Sequence, residues 1–117
     1  MATRFFYFGR TATRAFLDIH KKSAELWGPK KADAYLQKIY QKIDKICDNP
    51  NIGMSRQKRS SPFLMVPAEK HFVIYHLHKN NILILAILHQ SRNIEQIISK
   101  NEDMFRIEIE EIKSRIK

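Results

Sequence analysis

The hydrophobic and polar positions of the chain change period several times, and each change predicts a new element. A short aromatic run at 4–8 is typical of a strand. From 11 to 27 apolar residues recur every three or four positions, which predicts an amphipathic helix. Its buried face should consist of Ala12, Phe16, Ile19, Ser23 and Leu26. Gly28 and Pro29 combine a helix stop with a helix start, so a second helix should begin at once and fold back as a hairpin.

The second helix is followed by three predicted strands. The apolar face of the helix consists of Ala32, Leu36, Ile39, Ile43 and Ile46. The segments 63–66, 71–78 and 82–89 are rich in β-branched and aromatic residues, as strands are, and a polar turn at 79–81 joins the last two. Because the last strand is apolar almost throughout, we expect it to be central, with both faces covered and the helical hairpin on one of them.

Two further helices are predicted at the C-terminus. Ile94, Ile97 and Ile98 indicate a short helix, and Ser99 and Glu102 have the spacing of a capping box that would start the next one. The stripe of that last helix consists of Phe105, Ile109, Ile112 and Ile116. The order of elements predicts an α+β fold: an N-terminal strand, an α-helical hairpin packed on an antiparallel β-sheet, and a C-terminal helix.

Length and composition fit one compact domain. At 117 residues and 44% hydrophobic, the chain can bury a single core. Its longest apolar run has seven residues, far below the ~20 needed to cross a bilayer, so no membrane contact is expected. The single cysteine, Cys47, cannot form an internal disulfide, which fits a packing role in a reduced compartment. We therefore expect a cytoplasmic protein.

Positive charge is concentrated in the first half of the chain. The formal net charge is +9; residues 1–60 hold 13 basic and 5 acidic side chains, whereas residues 91–117 hold 6 of each. The electric field of this positive charge attracts nucleic acid, an acidic protein segment or an acidic enzyme surface. The charge alone does not show which of these is the partner. A plain basic RNA-binding domain is one alternative, against which the sequence shows no RNP-like motif or aromatic stacking pattern.

Five blocks of the sequence, taken together and in order, resemble the RelE/ParE superfamily of bacterial type II toxins, and its ParE branch most of all. The likeness covers roughly residues 4–98. The blocks are Ala12, Phe16 and Ile19 leading into Trp27 and Gly28, then AYLQKI at 34–39, NPNIG at 49–53, FLMVPAEKHFVIYH at 63–76 and ILILAILHQSRNI at 82–94. We accordingly expect residues 1–98 to form a toxin domain and residues 99–117 to form a helical extension packed on the same domain.

The resemblance implies a growth-inhibiting toxin of the kind that stabilises plasmids, held inactive by a cognate antitoxin in a hetero-oligomer. ParE-like toxins act on DNA gyrase and stabilise its cleaved DNA complex, whereas RelE-like toxins cut mRNA on the ribosome. One fold hosts both activities, so the fold does not decide between them. Candidate residues must therefore be weighed against the chemistry that each activity needs.

RNA cleavage needs a general base, a cation for the phosphate and an acid for the leaving oxygen. In RelE-like toxins an arginine within the last strand commonly contributes, and an aromatic residue or histidine often follows near the C-terminus. Here Ala86 stands in that strand, no tyrosine comes after it, and the final histidine is His89. We therefore expect a gyrase-binding toxin without chemistry of its own, and keep a ribosome-dependent mRNA endoribonuclease as the alternative.

Two sets of candidate site residues follow from the resemblance and the charge pattern. The candidates for binding the target or the antitoxin are Arg56, Lys58, Arg59, His89 and Arg92. The candidates for a nuclease site are Arg56, Arg59, His71, Tyr75, His89 and Arg92. The simpler interpretation is a solvated loop followed by the polar end of a buried strand. No cofactor or metal is expected, because His76 and His78 share a strand face without a third ligand.

Two features stand apart from these candidates. Trp27 is expected to cover the hairpin as a hydrophobic lid rather than to recognise a partner. The 19 residues beyond Ile98 depart from the resemblance, because ParE-like chains usually end near that point. Their apolar stripe should pack on the sheet or the hairpin, and would there narrow or extend the hydrophobic groove that antitoxins of this superfamily fill.

Overall fold

The computed structural model describes residues 5–50, 54–55 and 63–116. The elements are β1 (Phe5–Phe8), α1 (Arg10–Trp27), α2 (Pro29–Asp48), β2 (Met54–Ser55), β3 (Leu64–Ala68), β4 (His71–His78), β5 (Asn81–His89), α3 (Ile94–Lys100) and α4 (Glu102–Arg115). The predicted α+β order, with a helical hairpin, three later strands and C-terminal helices, is confirmed. None of the described helices is long and apolar enough to span a membrane.

The described strands form one sheet in the order β1-β5-β4-β3-β2. The pairs β5–β4, β4–β3 and β3–β2 are antiparallel, as expected. Strand β1 instead runs parallel to β5, with Phe5 opposite Asn81 and Phe8 opposite Ile84. The apolar pattern of so short a strand carries no information on its partner or direction, so this pair was not part of the prediction.

The sheet separates two cores, and β5 contributes to both. Ile82, Ile84 and Ile87 pack on the side covered by α1 and α2, together with Ile39 and Ile43. Leu83, Leu85 and Ala86 pack on the opposite side, where Ile98 of α3 and the stripe of α4 cover the sheet. Because β5 lies between β1 and β4 and is buried on both faces, its predicted central position is confirmed.

The link between the two helices of the hairpin is a single residue. Gly28 has φ of 90° and serves as both the last cap of α1 and the first cap of α2. Its N–H donates to the carbonyl oxygen of Ala24 at 2.9 Å, and its own carbonyl accepts from the N–H of Ala32 at 3.1 Å. A side chain would be strained at this φ, which explains the glycine at this position. The prediction that a second helix begins directly after Gly28 is confirmed.

Two local expectations are wrong. Leu26 was assigned to the buried face of α1, yet it is 74% exposed, because the last turn of α1 lies along a groove rather than over the core. The capping box from Ser99 to Glu102 does not form. Ser99 lies inside α3, which continues to Lys100, and Asn101 alone separates the helices without a side-chain cap to α4.

Helix α4 is joined to the start of α1 through Glu108, which is 1% exposed. Its carboxylate accepts from the N–H of Thr11 at 3.2 Å and from the Thr11 hydroxyl at 2.5 Å. Arg10 and Glu111 add an ion pair at 3.0 Å on the exposed side. Since Gly9 offers no side chain to cap α1, the carboxylate from α4 supplies the acceptor that the first turn needs.

Candidate functional site

A groove of about 740 Å³ runs between α1, the first turns of α2 and the ends of β4 and β5. We call it the α1–β5 groove. Its lining includes Arg14, Trp27, Tyr35, His71, His89 and Arg92. These six side chains come from both helices of the hairpin, from two strands and from the turn after β5, so only the folded chain assembles them.

The register between β4 and β5 brings the two histidines of the groove together. His71 opens β4 and lies opposite His89, the last residue of β5. Their rings are 5.1 Å apart, centroid to centroid, and nearly perpendicular. Gln90 fixes this end of the sheet, because its N–H donates to the carbonyl of Lys70 at 2.9 Å and its amide donates to the carbonyl of Glu69 at 3.0 Å.

Tyr35 of α2 connects the hairpin to His71. The N–H of Lys70 donates to the Tyr35 hydroxyl oxygen at 3.1 Å, so the hydroxyl hydrogen is available to Nδ1 of His71, 2.7 Å away. With the hydroxyl donating to Nδ1, the neutral ring of His71 carries its proton on Nε2. Burial, and secondarily the neighbouring His89, lower the pKa of His71 to about 4, so its ring is neutral at physiological pH.

His89 is held in a similar way by the turn that follows it. The N–H of Ser91 donates to Nδ1 of His89 at 3.1 Å, and the Ser91 hydroxyl lies 2.8 Å from the same nitrogen. The neutral ring of His89 therefore also carries its proton on Nε2. The same turn, with the N–H of Arg92 donating to the carbonyl of His89 at 3.1 Å, brings Arg92 to the groove.

The charged side chains of the groove are mostly basic. Its lining includes the basic residues Arg14, Lys22, Lys70 and Arg92. Among the described residues that line it, Asp18 is acidic. The carboxylate of Asp18 is 3.2 Å from the ammonium group of Lys22, one helical turn away, so the charges of these two residues neutralise each other. Arg14, Lys70 and Arg92 leave a positive potential over the groove, which attracts an anionic partner.

The hydrogen bonds of the two histidines limit what the groove can do chemically. A general base needs an unprotonated nitrogen within reach of a substrate proton. At His89 Nδ1 accepts from the N–H of Ser91, and at His71 Nδ1 lies 2.7 Å from the Tyr35 hydroxyl, so both Nδ1 atoms are occupied within the protein. A neutral ring held in this way, with its proton on Nε2, is suited to donating a hydrogen bond to an anion. Among the described residues, no cluster of three or more His, Cys, Asp or Glu side chains is placed to hold a metal ion.

The structure brings together some of the candidate residues and separates others. His71, His89 and Arg92 line the same groove. Tyr75 is fully buried in the core under the hairpin and donates to the carbonyl of Pro50 at 2.9 Å, so it does not reach the groove. The basic candidates Arg56, Lys58 and Arg59 lie outside the described residues.

Of the six groove residues named first, three were not among the candidates: Arg14, Trp27 and Tyr35. Trp27, expected as a lid on the hairpin, is 48% exposed and its ring lies 6.1 Å from that of Tyr35 along the groove wall. The exposure of Trp27 could have been predicted from the sequence. An aromatic residue directly before a helix stop has no further turn of the same helix that could cover it. Arg14 and Tyr35 gave no such signal, because only the tertiary fold places them beside the strand ends.

Comparison with known proteins identifies the relatives of this chain. A family model described as the ParE toxin of type II toxin-antitoxin system, parDE, matches residues 6–94. A solved structure of a chromosomal ParDE TA system from P. aeruginosa matches with 21% sequence identity and a TM-score of 0.62. The match covers 76% of this chain and 96% of that chain, and at this identity it shows a shared fold. No curated protein sequence matches the chain.

Proposed function

The chain belongs to the family of ParE toxins of type II toxin-antitoxin systems, and on that premise we propose that it inhibits DNA gyrase by binding. A cognate antitoxin, encoded beside it, binds the toxin and neutralises it. The protein acts in the cytoplasm, where gyrase and its DNA are found. The target is met by the basic α1–β5 groove and its rim, so that an acidic or DNA-covered surface of gyrase is the complementary partner.

The observation that carries this proposal is the state of the two groove histidines. Both use Nδ1 in hydrogen bonds within the protein, which leaves Nε2 of each ring for a partner. Such a pair can contact an anion without taking a proton from it. Together with Arg14 and Arg92, it forms a surface suited to binding a negatively charged partner.

A second candidate function is supported by one specific feature. His71, His89 and Arg92 lie in one groove, and a histidine pair beside an arginine is a possible starting point for RNA cleavage. Acting as a base would require His71 to break its bond to Tyr35, or His89 to break its bonds to Ser91. Ribosome-dependent endoribonuclease activity is therefore the second candidate function, after inhibition of gyrase.

One paired experiment distinguishes the two candidates. Purified toxin is incubated with gyrase and supercoiled plasmid, and in parallel with translating ribosomes and a defined mRNA. We expect linear, gyrase-cleaved plasmid to accumulate while the mRNA stays intact, and added antitoxin to abolish the cleavage. Cuts in the mRNA within the ribosomal A site, with untouched plasmid, would establish the endoribonuclease instead.

The double variant His89→Ala/Arg92→Ala tests where the target is bound. Both residues are exposed, so their removal should change the free energy of unfolding by about 0.5 kcal/mol or less for each. We expect the concentration of toxin needed for plasmid cleavage to rise roughly tenfold, as loss of charged interface contacts usually implies. A variant that cleaves as well as the wild type would place the gyrase contact elsewhere.

A further inference from the structure

The α1–β5 groove combines cations with an exposed aromatic wall. Arg14, Lys70 and Arg92 supply the positive charge, and Trp27, which is 48% exposed, lies beside Tyr35. Cations suffice to bind a carboxylate or a phosphate. An exposed indole beside them gives the groove a second property, a flat surface on which a planar group can stack.

We propose that the α1–β5 groove is a binding site for a short segment of single-stranded nucleic acid, with a base stacked on Trp27 and the flanking phosphates contacted by Arg14 and Arg92. This site goes beyond the proposed inhibition of gyrase, because it requires neither gyrase nor the ribosome. A basic groove with aromatic platforms is the usual arrangement for binding single strands without sequence preference. The volume of about 740 Å³ lies within the range of sites for small ligands, so the groove accepts a short segment.

The histidines fit the same ligand. The ring centroids of His71 and His89 are 5.1 Å apart at the end of the sheet. Each ring uses Nδ1 within the protein, so a neutral ring with its proton on Nε2 can donate a hydrogen bond to the ligand. Phosphate oxygens accept such bonds from neutral donors as well as from cations. Tyr35, which fixes His71 through a 2.7 Å hydrogen bond, also contacts Trp27, so the stacking surface and the phosphate donors belong to one connected group of side chains.

An acidic peptide is the competing ligand, and the aromatic wall argues against it. Carboxylates would pair with Arg14 and Arg92 but would leave the indole of Trp27 without a planar partner. A nucleotide uses the cations and the indole at once, through its phosphate and its base. DNA and RNA share this chemistry, so the test includes both.

The intrinsic fluorescence of the wild-type protein gives the most direct test. Trp27 is the only tryptophan in the chain, so its emission reports on this groove alone. We expect titration with hexathymidylate or hexauridylate to quench that emission, because a base stacked on the indole does so. Comparison of the two oligonucleotides shows whether the groove prefers DNA or RNA. No quenching at an oligonucleotide concentration that saturates binding in a parallel anisotropy titration would overturn the proposal.

Anisotropy with labelled oligonucleotides then measures the contribution of stacking. Trp27→Ala should raise Kd roughly 5- to 150-fold, whereas Trp27→Phe should keep most of the affinity. A side chain that only supported the fold would change the thermal midpoint together with Kd, so unfolding is measured for both variants. Equal affinity of the wild type and Trp27→Ala would overturn the proposal.

Two double variants with the same net charge separate the groove from general electrostatic attraction. Arg14→Ala/Arg92→Ala removes two groove cations, and Lys100→Ala/Arg115→Ala removes two exposed cations from α3 and α4. For the groove pair we expect the slope of log K against log salt to become shallower by about 1.4, which corresponds to two lost contacts to a single strand. The control pair should leave most of the slope intact.

The remaining outcomes also decide the question. If the control pair lowers affinity and slope as much as the groove pair, the protein binds nucleic acid only through its net charge and has no site. If hexaglutamate displaces the oligonucleotide at similar concentrations and quenches Trp27 as well, the groove is a peptide site and the proposal is wrong.

Discussion

Glu108 shows how one residue can connect distant parts of this chain. It belongs to α4, near the C-terminus, and accepts two hydrogen bonds from Thr11 in the first turn of α1. A buried carboxylate is stable only when its oxygens are hydrogen-bonded, and the positive end of α1 favours it further. Gly9 makes the contact possible, since a Cβ there would lie 2.5 Å from Oε1 of Glu108.

This geometry predicts strong coupling between Gly9 and Glu108. Gly9→Ala should cost about 1–2 kcal/mol of unfolding free energy, because the methyl group displaces the carboxylate from Thr11. Glu108→Ala should cost about 2 kcal/mol for the same lost cap. In the Glu108→Ala background Gly9→Ala should be nearly neutral, since φ of −73° at this position suits alanine.

A double-mutant cycle from urea unfolding measures that coupling. Glu111→Ala is the matched control, because it removes a carboxylate from the same helix that pairs with Arg10 on the exposed side. It should cost clearly less than Glu108→Ala, because an exposed ion pair contributes little to stability. Additive effects of Gly9→Ala and Glu108→Ala would mean that the two residues do not meet as described.

A second prediction at this scale concerns His71 and pH. Its pKa is about 4 in the folded protein, against 6.5 when unperturbed, so the unfolded chain binds the proton more readily. The stability that this neutral ring contributes is complete above about pH 6.5 and is lost as pH falls toward about 4. Because the ring is only half-buried, we expect a loss on the order of 1 kcal/mol.

Urea unfolding at about pH 7.5 and about pH 4.5 checks this expectation. His71→Gln removes the titrating ring but keeps a polar side chain near Tyr35. The difference in unfolding free energy between the two pH values should be smaller in this variant than in the wild type. The same difference in both proteins would show that His71 does not carry this part of the pH dependence.

At the scale of elements, α4 forms much of the second core. Phe105 and Ile112 are buried against the sheet on the side opposite the hairpin, and Ile109 is nearly so. Among the described residues, the apolar stripe of α4 contacts the sheet and not the hairpin. It remains a prediction that α4 also shapes the surface on which an antitoxin docks.

The packing of α4 predicts different costs for two isoleucines on one helix. Ile112 is fully buried, so Ile112→Ala should lower the unfolding free energy by about 2–5 kcal/mol. Ile107 is 57% exposed, and Ile107→Ala should change it by about 0.5 kcal/mol or less. Chemical unfolding of both variants provides the measurement, and similar costs would contradict the described orientation of α4.

Periodicity explains which elements were predictable. Long stripes at helical spacing and the apolar run of β5 specify burial directly, and these elements lie where expected. The direction of β1 and the absent capping box depend on tertiary contacts. The burial of Glu108 could have been predicted from the sequence, since it follows Phe105 by three positions and therefore lies on the same buried face of α4.

The candidate site was less predictable than the fold for a physical reason. His89 and Arg92 could be found because they directly follow a buried strand. Arg14, Trp27 and Tyr35 reach the same groove from the helical hairpin, and their spacing in sequence says nothing about that meeting. A groove built from several elements is visible only after the elements are packed.

At the scale of the whole molecule, the two sides of the sheet differ in charge. Helices α1 and α2 of the hairpin hold 9 basic and 5 acidic residues, whereas α3 and α4, which cover the other side of the sheet, hold 4 basic and 6 acidic residues. An acidic partner approaching from solution is therefore oriented toward the hairpin before any contact forms. Such steering acts mainly on the association rate.

Lys30 and Lys31 allow this steering to be tested without damage to the fold. Both are exposed in the first turn of α2, where positive charge opposes the helix dipole, so replacing both by glutamine should leave stability unchanged or slightly higher. We expect the association rate with DNA-bound gyrase to fall roughly 2- to 5-fold at low salt, with little change in dissociation.

The matched variant Lys100→Gln/Arg115→Gln removes two exposed charges from the opposite cover of the sheet. Because the two variants have the same net charge, a general effect of charge slows both equally, whereas steering by the hairpin side slows only Lys30→Gln/Lys31→Gln. Stopped-flow or biosensor kinetics at several salt concentrations separate these outcomes, and the difference should vanish once the Debye length falls to ~3 Å near 1 M salt. Equal slowing by both pairs would show that the uneven charge of the molecule does not orient its partner.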